Sequence, residues 1–192
     1  MRVFIWGIGG KMGRSLYFLL SNSKTDEVVG GFDKFAVNED FENVPIFTDI
    51  ASINVEADVI IDFSRPDSLD EILEYALKTD TNLVISTTGH SNEQIEKIKD
   101  ASKKIAIFMS SNMSLGVNLL INLAKQAARF LGKNFEVEII EQHHNLKVDA
   151  PSGTALSIAK EINDVLENKM EFCYGRHGGD QKRGDNVIGI HA

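Results

Sequence analysis

Four apolar residues, Val3–Trp6, run without a break into Gly7-Ile8-Gly9-Gly10-Lys11-Met12-Gly13, and apolar positions at helical spacing follow at Met12, Leu16, Leu19 and Leu20. A strand that passes into a helix through so short a glycine turn is the opening of a parallel β-α unit. Glycines at 7, 10 and 13 give the turn its tightness and leave no Cβ between the backbone and a ligand. The first N–H groups of the helix lack intrahelical acceptors, so the turn suits an anion such as a dinucleotide pyrophosphate. A glycine cluster alone also fits an ordinary tight turn. Asp33, 20 residues after Gly13, favours the ligand reading, because a carboxylate at the end of the second strand can accept hydrogen bonds from an adenosine ribose. Lys34 beside it can neutralise a 2′-phosphate, so both NADH and NADPH stay open as cofactors.

The opening pattern repeats. Val28–Phe32, Val59–Asp62, Leu83–Ser86 and Ile105–Met109 read as strands, several of them apolar throughout, as strands covered on both faces must be. Between them Leu69, Ile72, Leu73, Ala76 and Leu77 recur at helical spacing, and Ser91 with Gln94 forms a capping box before Ile95 and Ile98. This is an α/β chain. After Ser110–Gly116 the pattern changes: Val117, Leu120, Ile121, Ala124 and Ala128 mark a helix stopped by Gly132, and Phe135–Glu141 alternates apolar and acidic residues like a half-exposed strand. We place a boundary here, with one domain at 1–112 and a second at 113–192. The glycine-rich, charged stretch Gly175–Asn186 reads as a loop.

Composition narrows the partners. With 28 acidic against 20 basic residues, a net charge of -8 and no long basic run, the sequence argues against a nucleic-acid or anionic-lipid surface, and a small molecule is the expected ligand. Val3–Trp6 is too short for a signal peptide or a membrane span. The single cysteine, Cys173, excludes an internal disulfide and a thiolate metal cluster, so no metal is implied and a reducing cytoplasm fits.

The densest chemistry lies in Glu141-Gln142-His143-His144-Asn145-Leu146-Lys147-Val148-Asp149-Ala150-Pro151-Ser152-Gly153-Thr154. Two histidines and a lysine occupy the loop that leaves the alternating strand, and Pro151–Thr154 then opens a helix with the apolar stripe Leu156, Ile158, Ala159 and Ile162. The N–H groups of that helix start and the Thr154 hydroxyl can hold a carboxylate, while Lys147 can neutralise its charge or donate a proton.

With these motifs in place, the sequence resembles the dihydrodipicolinate reductases over nearly its whole length. Gly7 to Met12 matches that family's cofactor loop, Asp62-Phe63-Ser64-Arg65-Pro66 its fourth-strand end, and Ser86-Thr87-Thr88-Gly89 its Gly-Thr-Thr-Gly segment. Ser110-Ser111-Asn112-Met113-Ser114-Leu115-Gly116-Val117-Asn118 resembles the segment that lines the nicotinamide, and His143 to Thr154 the family's most distinctive motif. The resemblance implies an N-terminal Rossmann-type parallel sheet with helices on both faces, followed by a smaller α+β domain for substrate binding and oligomerisation. It also implies reduction of 4-hydroxy-tetrahydrodipicolinate, with loss of water, to tetrahydrodipicolinate by NADH or NADPH in lysine and diaminopimelate synthesis, by a cytoplasmic homotetramer.

By the same resemblance, Gly7, Ile8, Gly9, Gly10, Lys11, Met12, Asp33, Lys34, Phe63, Ser86, Thr87, Thr88, Ser110, Ser111, Asn112 and Met113 bind the cofactor. His143 and Lys147 transfer protons, His144 contacts the dicarboxylate substrate, and Gly153 and Thr154 bind one of its carboxylates. Hydride delivery to a cyclic imine leaves negative charge towards the nitrogen, where a cationic acid such as Lys147 stabilises the transition state and supplies the proton. The chain departs from the family pattern in having Ser86 for glycine and Met113 for phenylalanine. It is also expected to stop short of the family's usual end, since an Arg-Gly-Gly motif, further strands and a closing helix follow the Ile188–His191 segment in the family. That shortening keeps a second reading open, a nucleotide-binding module without turnover. A third is a Rossmann dehydrogenase of another amino-acid pathway; a thioester-forming one needs a nucleophilic cysteine, and Cys173 lies in no such motif.

Overall fold

The computed structural model describes residues 1–35, 41–110, 112–145, 147, 150–176 and 184–192, and the chain divides into two compact units, Met1–Ser111 and Asn112–Ala192. Ser111, three positions of the histidine-lysine motif (Leu146, Val148 and Asp149) and residues 177–183 of the expected glycine-rich loop lie outside the described residues.

Unit 1 alternates β1 (Arg2–Trp6), α1 (Lys11–Ser21), β2 (Glu27–Phe32), β3 (Ile46–Phe47), β4 (Val59–Asp62), α2 (Leu69–Thr79), β5 (Asn82–Ile85), α3 (Asn92–Ala101) and β6 (Ile107–Met109). The strands form one parallel sheet in the order β3-β2-β1-β4-β5-β6, the Rossmann order, which reverses direction beside β1. Two-residue periodicity explains why β1 must lie at its centre. Phe4 and Trp6 join a cluster with Ile60, Leu69, Ile72, Leu83 and Ile98, while Val3 and Ile5 join Ile8, Tyr17, Ile46 and Val59. These four apolar residues of β1 are buried, and each such side chain contributes about 1.5–3 kcal/mol relative to exposure.

Helix α1 forms as its apolar spacing predicts, although only part of its apolar set is buried. The buried face of α1 carries Gly13 and Tyr17, with Leu16 and Leu20 packed beside them, whereas Met12 and Leu19 are 54% and 70% exposed. The helix has more apolar residues than its core-facing arc can hold. Burial on both faces also fails at β6, the edge strand, where Phe108 is 59% and Met109 41% exposed. The capping box is present as read: Ser91 Oγ accepts from the Gln94 amide and Gln94 Oε1 from the Ser91 amide.

Unit 2 runs α4 (Leu115–Leu131), β7 (Val137–Ile140), α5 (Gly153–Val165), β8 (Glu171–Tyr174) and β9 (Val187–His191), with the three strands parallel in the order β7-β9-β8. Alternation in β7 turns Val137 and Ile139 to a core formed with Ala128, Ala155, Ala159, Ile162, Ile188 and Ile190. Glu138 and Ile140 face outward. Gly132, at φ +58, ends α4 in a backbone region that glycine enters without strain.

Candidate active site

In a parallel sheet all strand C-termini open on one edge, and the N-terminal motifs converge there: Gly7–Met12 after β1, Asp33 and Lys34 after β2, Phe63 after β4, Ser86–Thr88 after β5 and Ser110 after β6. The glycine turn has a steric cause. Gly7 sits at φ +79, and a Cβ there would lie 2.8 Å from the Phe63 carbonyl oxygen; a Cβ on Gly13 would lie 2.7 Å from Ile8 Cα. Gly10 is the N-cap of α1 and brings no side chain to it, so the first-turn amides remain for an outside anion. These features fit a dinucleotide pyrophosphate.

Asp33 is tied to the same turn. Its Oδ2 accepts from the Gly9 amide at 3.0 Å and its Oδ1 from the Phe35 amide at 2.9 Å. A carboxylate offers about four acceptor positions, so capacity remains for a ribose hydroxyl. Lys34 Nζ pairs with Glu71 Oε1 at 3.0 Å. Arg14 donates from Nε to the Gly9 carbonyl and stacks 5.2 Å above the Phe41 ring. Three side-chain oxygens of this unit, Asp62 Oδ2, Glu71 Oε2 and Thr87 Oγ1, are shielded from solvent without a hydrogen-bond partner among the described residues, as are both ring nitrogens of His90. All four residues follow or end β4 and β5. Buried polar atoms without a partner are rare in folded chains, and these follow the same two strands as the cofactor motifs.

In unit 2, the start of α5 is organised by a residue that the sequence reading quoted without giving it a role. Glu141, at the end of β7, accepts from the Ser152 amide at 2.6 Å and from the Ser152 hydroxyl. Ser152 is buried and caps α5, its Oγ accepting from the Ala155 amide at 3.1 Å. Burial pushes the Glu141 carboxyl upward, but the Ser152 hydroxyl and amide, with His143 and Lys147 nearby, outweigh it and hold the group below its ordinary value. His143 Nδ1 stands 3.9 Å from Glu141 Oε2. The backbone turns so that the Lys147 amide donates to the His144 carbonyl at 3.1 Å.

Gly153 and Thr154 are the first two residues of α5, and a Cβ at Gly153 would meet open space. Asn112 Nδ2 donates to Thr154 Oγ1 at 3.1 Å, and Asn112 Oδ1 accepts from the Ser114 amide at 2.8 Å. That leaves the Thr154 hydroxyl hydrogen to point elsewhere. Met113 is 44% exposed. A depression of about 490 Å³ is lined by Ile140, Glu141, Gln142, His143, His191 and Ala192. Among the described residues, no group of three or more His, Cys, Asp or Glu side chains could hold a metal ion.

Glu141 and the shielded Asp62 stand within motifs but carry no role legible from the motif alone, and Glu71 stands in none. Glu141 is signalled only by its spacing, 11 residues before an N-cap serine; the other two follow from packing alone.

Comparison with known proteins agrees with this arrangement. A family model described as dihydrodipicolinate reductase, N-terminus, matches residues 1–113, and one described as dihydrodipicolinate reductase, C-terminus, matches residues 116–192. The chain is 46% identical over 192 residues to the 4-hydroxy-tetrahydrodipicolinate reductase of Caldanaerobacter subterraneus subsp. tengcongensis, covering 100% of this chain and 75% of that one. Identity to the protein of that name from Clostridium tetani is 46% over 193 residues, covering 100% and 74%. Among solved structures, a dipicolinate-bound dihydrodipicolinate reductase from Paenisporosarcina sp. TG-14 superposes with a TM-score of 0.77 at 26% identity, covering 100% of this chain and 78% of that one. The WlbA dehydrogenase of Bordetella pertussis, solved with NADH and UDP-GlcNAcA, shares the fold at a TM-score of 0.54 and 14% identity, over 72% of this chain and 45% of that one.

Proposed function

This chain belongs to the dihydrodipicolinate reductase family, and from that premise we propose that it reduces 4-hydroxy-tetrahydrodipicolinate to tetrahydrodipicolinate, with loss of water, in lysine and diaminopimelate synthesis. NADH or NADPH supplies the hydride when bound. Residues 7–12 and the open first turn of α1 hold the pyrophosphate, Asp33 and Lys34 meet the adenosine ribose, and Phe63, Ser86, Thr87, Thr88, Ser110, Ser111, Asn112 and Met113 hold the rest of the cofactor.

On the substrate side, Lys147 and His143 transfer the proton that the reduced imine nitrogen requires, and His144 contacts the substrate. Gly153 and Thr154 take one carboxylate at the start of α5. The observation that carries this reading is the built state of that start. Glu141 fixes Ser152, Asn112 fixes Thr154, a Cβ on Gly153 would meet nothing within 4 Å, and the positive end of the helix dipole favours an anion at this helix start. We also propose that the protein works in the cytoplasm as a homotetramer. Among the described residues no helix is long and apolar enough to cross a membrane, and the highly exposed Leu115, Phe130 and Ile140 of unit 2 are apolar surface of the kind that contacts between copies cover.

The test is competition between two flat, unreactive acids. Pyridine-2,6-dicarboxylate presents two carboxylates flanking nitrogen, and pyridine-2-carboxylate presents one. Hydrogen bonds to an ionised acceptor contribute about 1.5–3 kcal/mol each, so the dicarboxylate should inhibit at least about ten-fold more tightly. Thr154→Val should shrink the difference. Equal inhibition by both acids would remove the carboxylate site at α5.

A further inference from the structure

Two strands flank β1: β2 on one side and β4 on the other, so their ends stand about 10 Å apart across the C-terminal edge of β1. Lys34 follows β2, and Glu71 lies in the first turn of α2, which follows β4. Their ion pair, Nζ to Oε1 at 3.0 Å, therefore spans the crevice where the adenosine ribose of a dinucleotide belongs. The second Glu71 oxygen, Oε2, is shielded from solvent with no hydrogen-bond partner among the described residues.

We propose that Glu71 is a specificity-determining residue that selects the dinucleotide with a free 2′-hydroxyl, NADH, over the 2′-phosphorylated form. This rests on the cofactor reading given above. Glu71 acts in two ways. It engages the cation that would otherwise meet a 2′-phosphate, and it adds a second carboxylate to that of Asp33, so this corner holds two anionic groups against one ammonium. A phosphate dianion is repelled there, whereas a neutral hydroxyl is not. Arg14, the nearby cation of the glycine turn, is directed at the Gly9 carbonyl and the Phe41 ring. The ion pair is partly exposed, with side chains 52% and 39% accessible, so the pair is a weak tether that a substitution can release without dismantling the fold.

Binding, read without turnover by the fluorescence of the reduced nicotinamide, tests the idea in the full chain. The parent should bind NADH more tightly than NADPH. Glu71→Gln, which keeps the shape, should tighten NADPH on the order of ten-fold while changing NADH less than about two-fold. The gain should pass through Lys34: Lys34→Met alone should weaken NADPH less than about three-fold, because its charge is already engaged, but should abolish most of the gain when added to Glu71→Gln. Trp6 fluorescence and far-UV circular dichroism identify any variant that has lost its fold, in which case Glu71→Asp, which shortens the reach to Lys34, should move the ratio in the same direction. Binding of both cofactors with a ratio unmoved by Glu71→Gln, or a gain that survives Lys34→Met, overturns the inference and leaves the cofactor reading standing. A parent protein that binds neither cofactor overturns both.

Discussion

Removing one hydroxyl should show how much of the second unit hangs on the Glu141–Ser152 pair. In Ser152→Ala, α5 loses its N-cap, since Ser152 Oγ is the acceptor for the Ala155 amide, and Glu141 loses one of its two donors from that residue. An N-cap contributes about 1 kcal/mol, and a hydrogen bond to a charged group about 1.5–3 kcal/mol. The Glu141 side chain is only 13% exposed, so solvent offers little replacement. The expected loss is about 2–4 kcal/mol in urea unfolding followed by far-UV circular dichroism; the single tryptophan lies in unit 1 and does not report on α5. The Ala155 amide should exchange its hydrogen correspondingly faster.

The loss should depend on pH with a fixed sign. Glu141 titrates below its ordinary value in the folded chain, so its contribution is present above its unfolded value and disappears as pH falls through the folded one. The difference between parent and Ser152→Ala should therefore be largest near neutrality and narrow in acid towards the capping contribution of about 1 kcal/mol. A loss under about 0.5 kcal/mol, or one that does not change with pH, would mean that the Glu141–Ser152 pair does not hold the start of α5.

Two further substitutions address the site itself. Asp33→Ala should weaken NADH more than NADPH in a binding titration, because only the free 2′-hydroxyl needs that acceptor; equal losses would mean that its bonds to the Gly9 and Phe35 amides are its whole role. Lys147→Ala and His143→Ala should each lower kcat on the order of 10²–10⁴-fold with cofactor affinity nearly unchanged, and a Lys147→Ala protein with normal turnover would remove it from proton transfer.

Much of this architecture was legible because its signals are local and periodic. The apolar runs Val3–Trp6 and Val59–Ile61 announced a sheet covered on both faces, and Ser91 with Gln94 marked the start of α3. The two-residue strand Ile46–Phe47 was too short to produce any period. The apolar spacing of α1 does not tell which residues lie inside, because Gly13 has no side chain to count, yet it is buried against the Gly7–Ile8 backbone, while Met12 and Leu19 are apolar without being inside. At the site, the residue types that carry chemistry stood out as motifs. Their supports did not: the bond from Gly9 to Asp33, the pair of Lys34 with Glu71 and the bond from Asn112 to Thr154 join positions 24, 37 and 42 residues apart, and no sequence spacing encodes them.

Reductase action on a cyclic imine dicarboxylate is measured by mixing the chain with 4-hydroxy-tetrahydrodipicolinate and reduced cofactor and following the loss of nicotinamide absorbance. Oxidation should require the substrate, be suppressed by pyridine-2,6-dicarboxylate and fall on the order of 10²–10⁴-fold in Lys147→Ala. Cofactor that binds but is not oxidised when the substrate is added would contradict the proposed reduction.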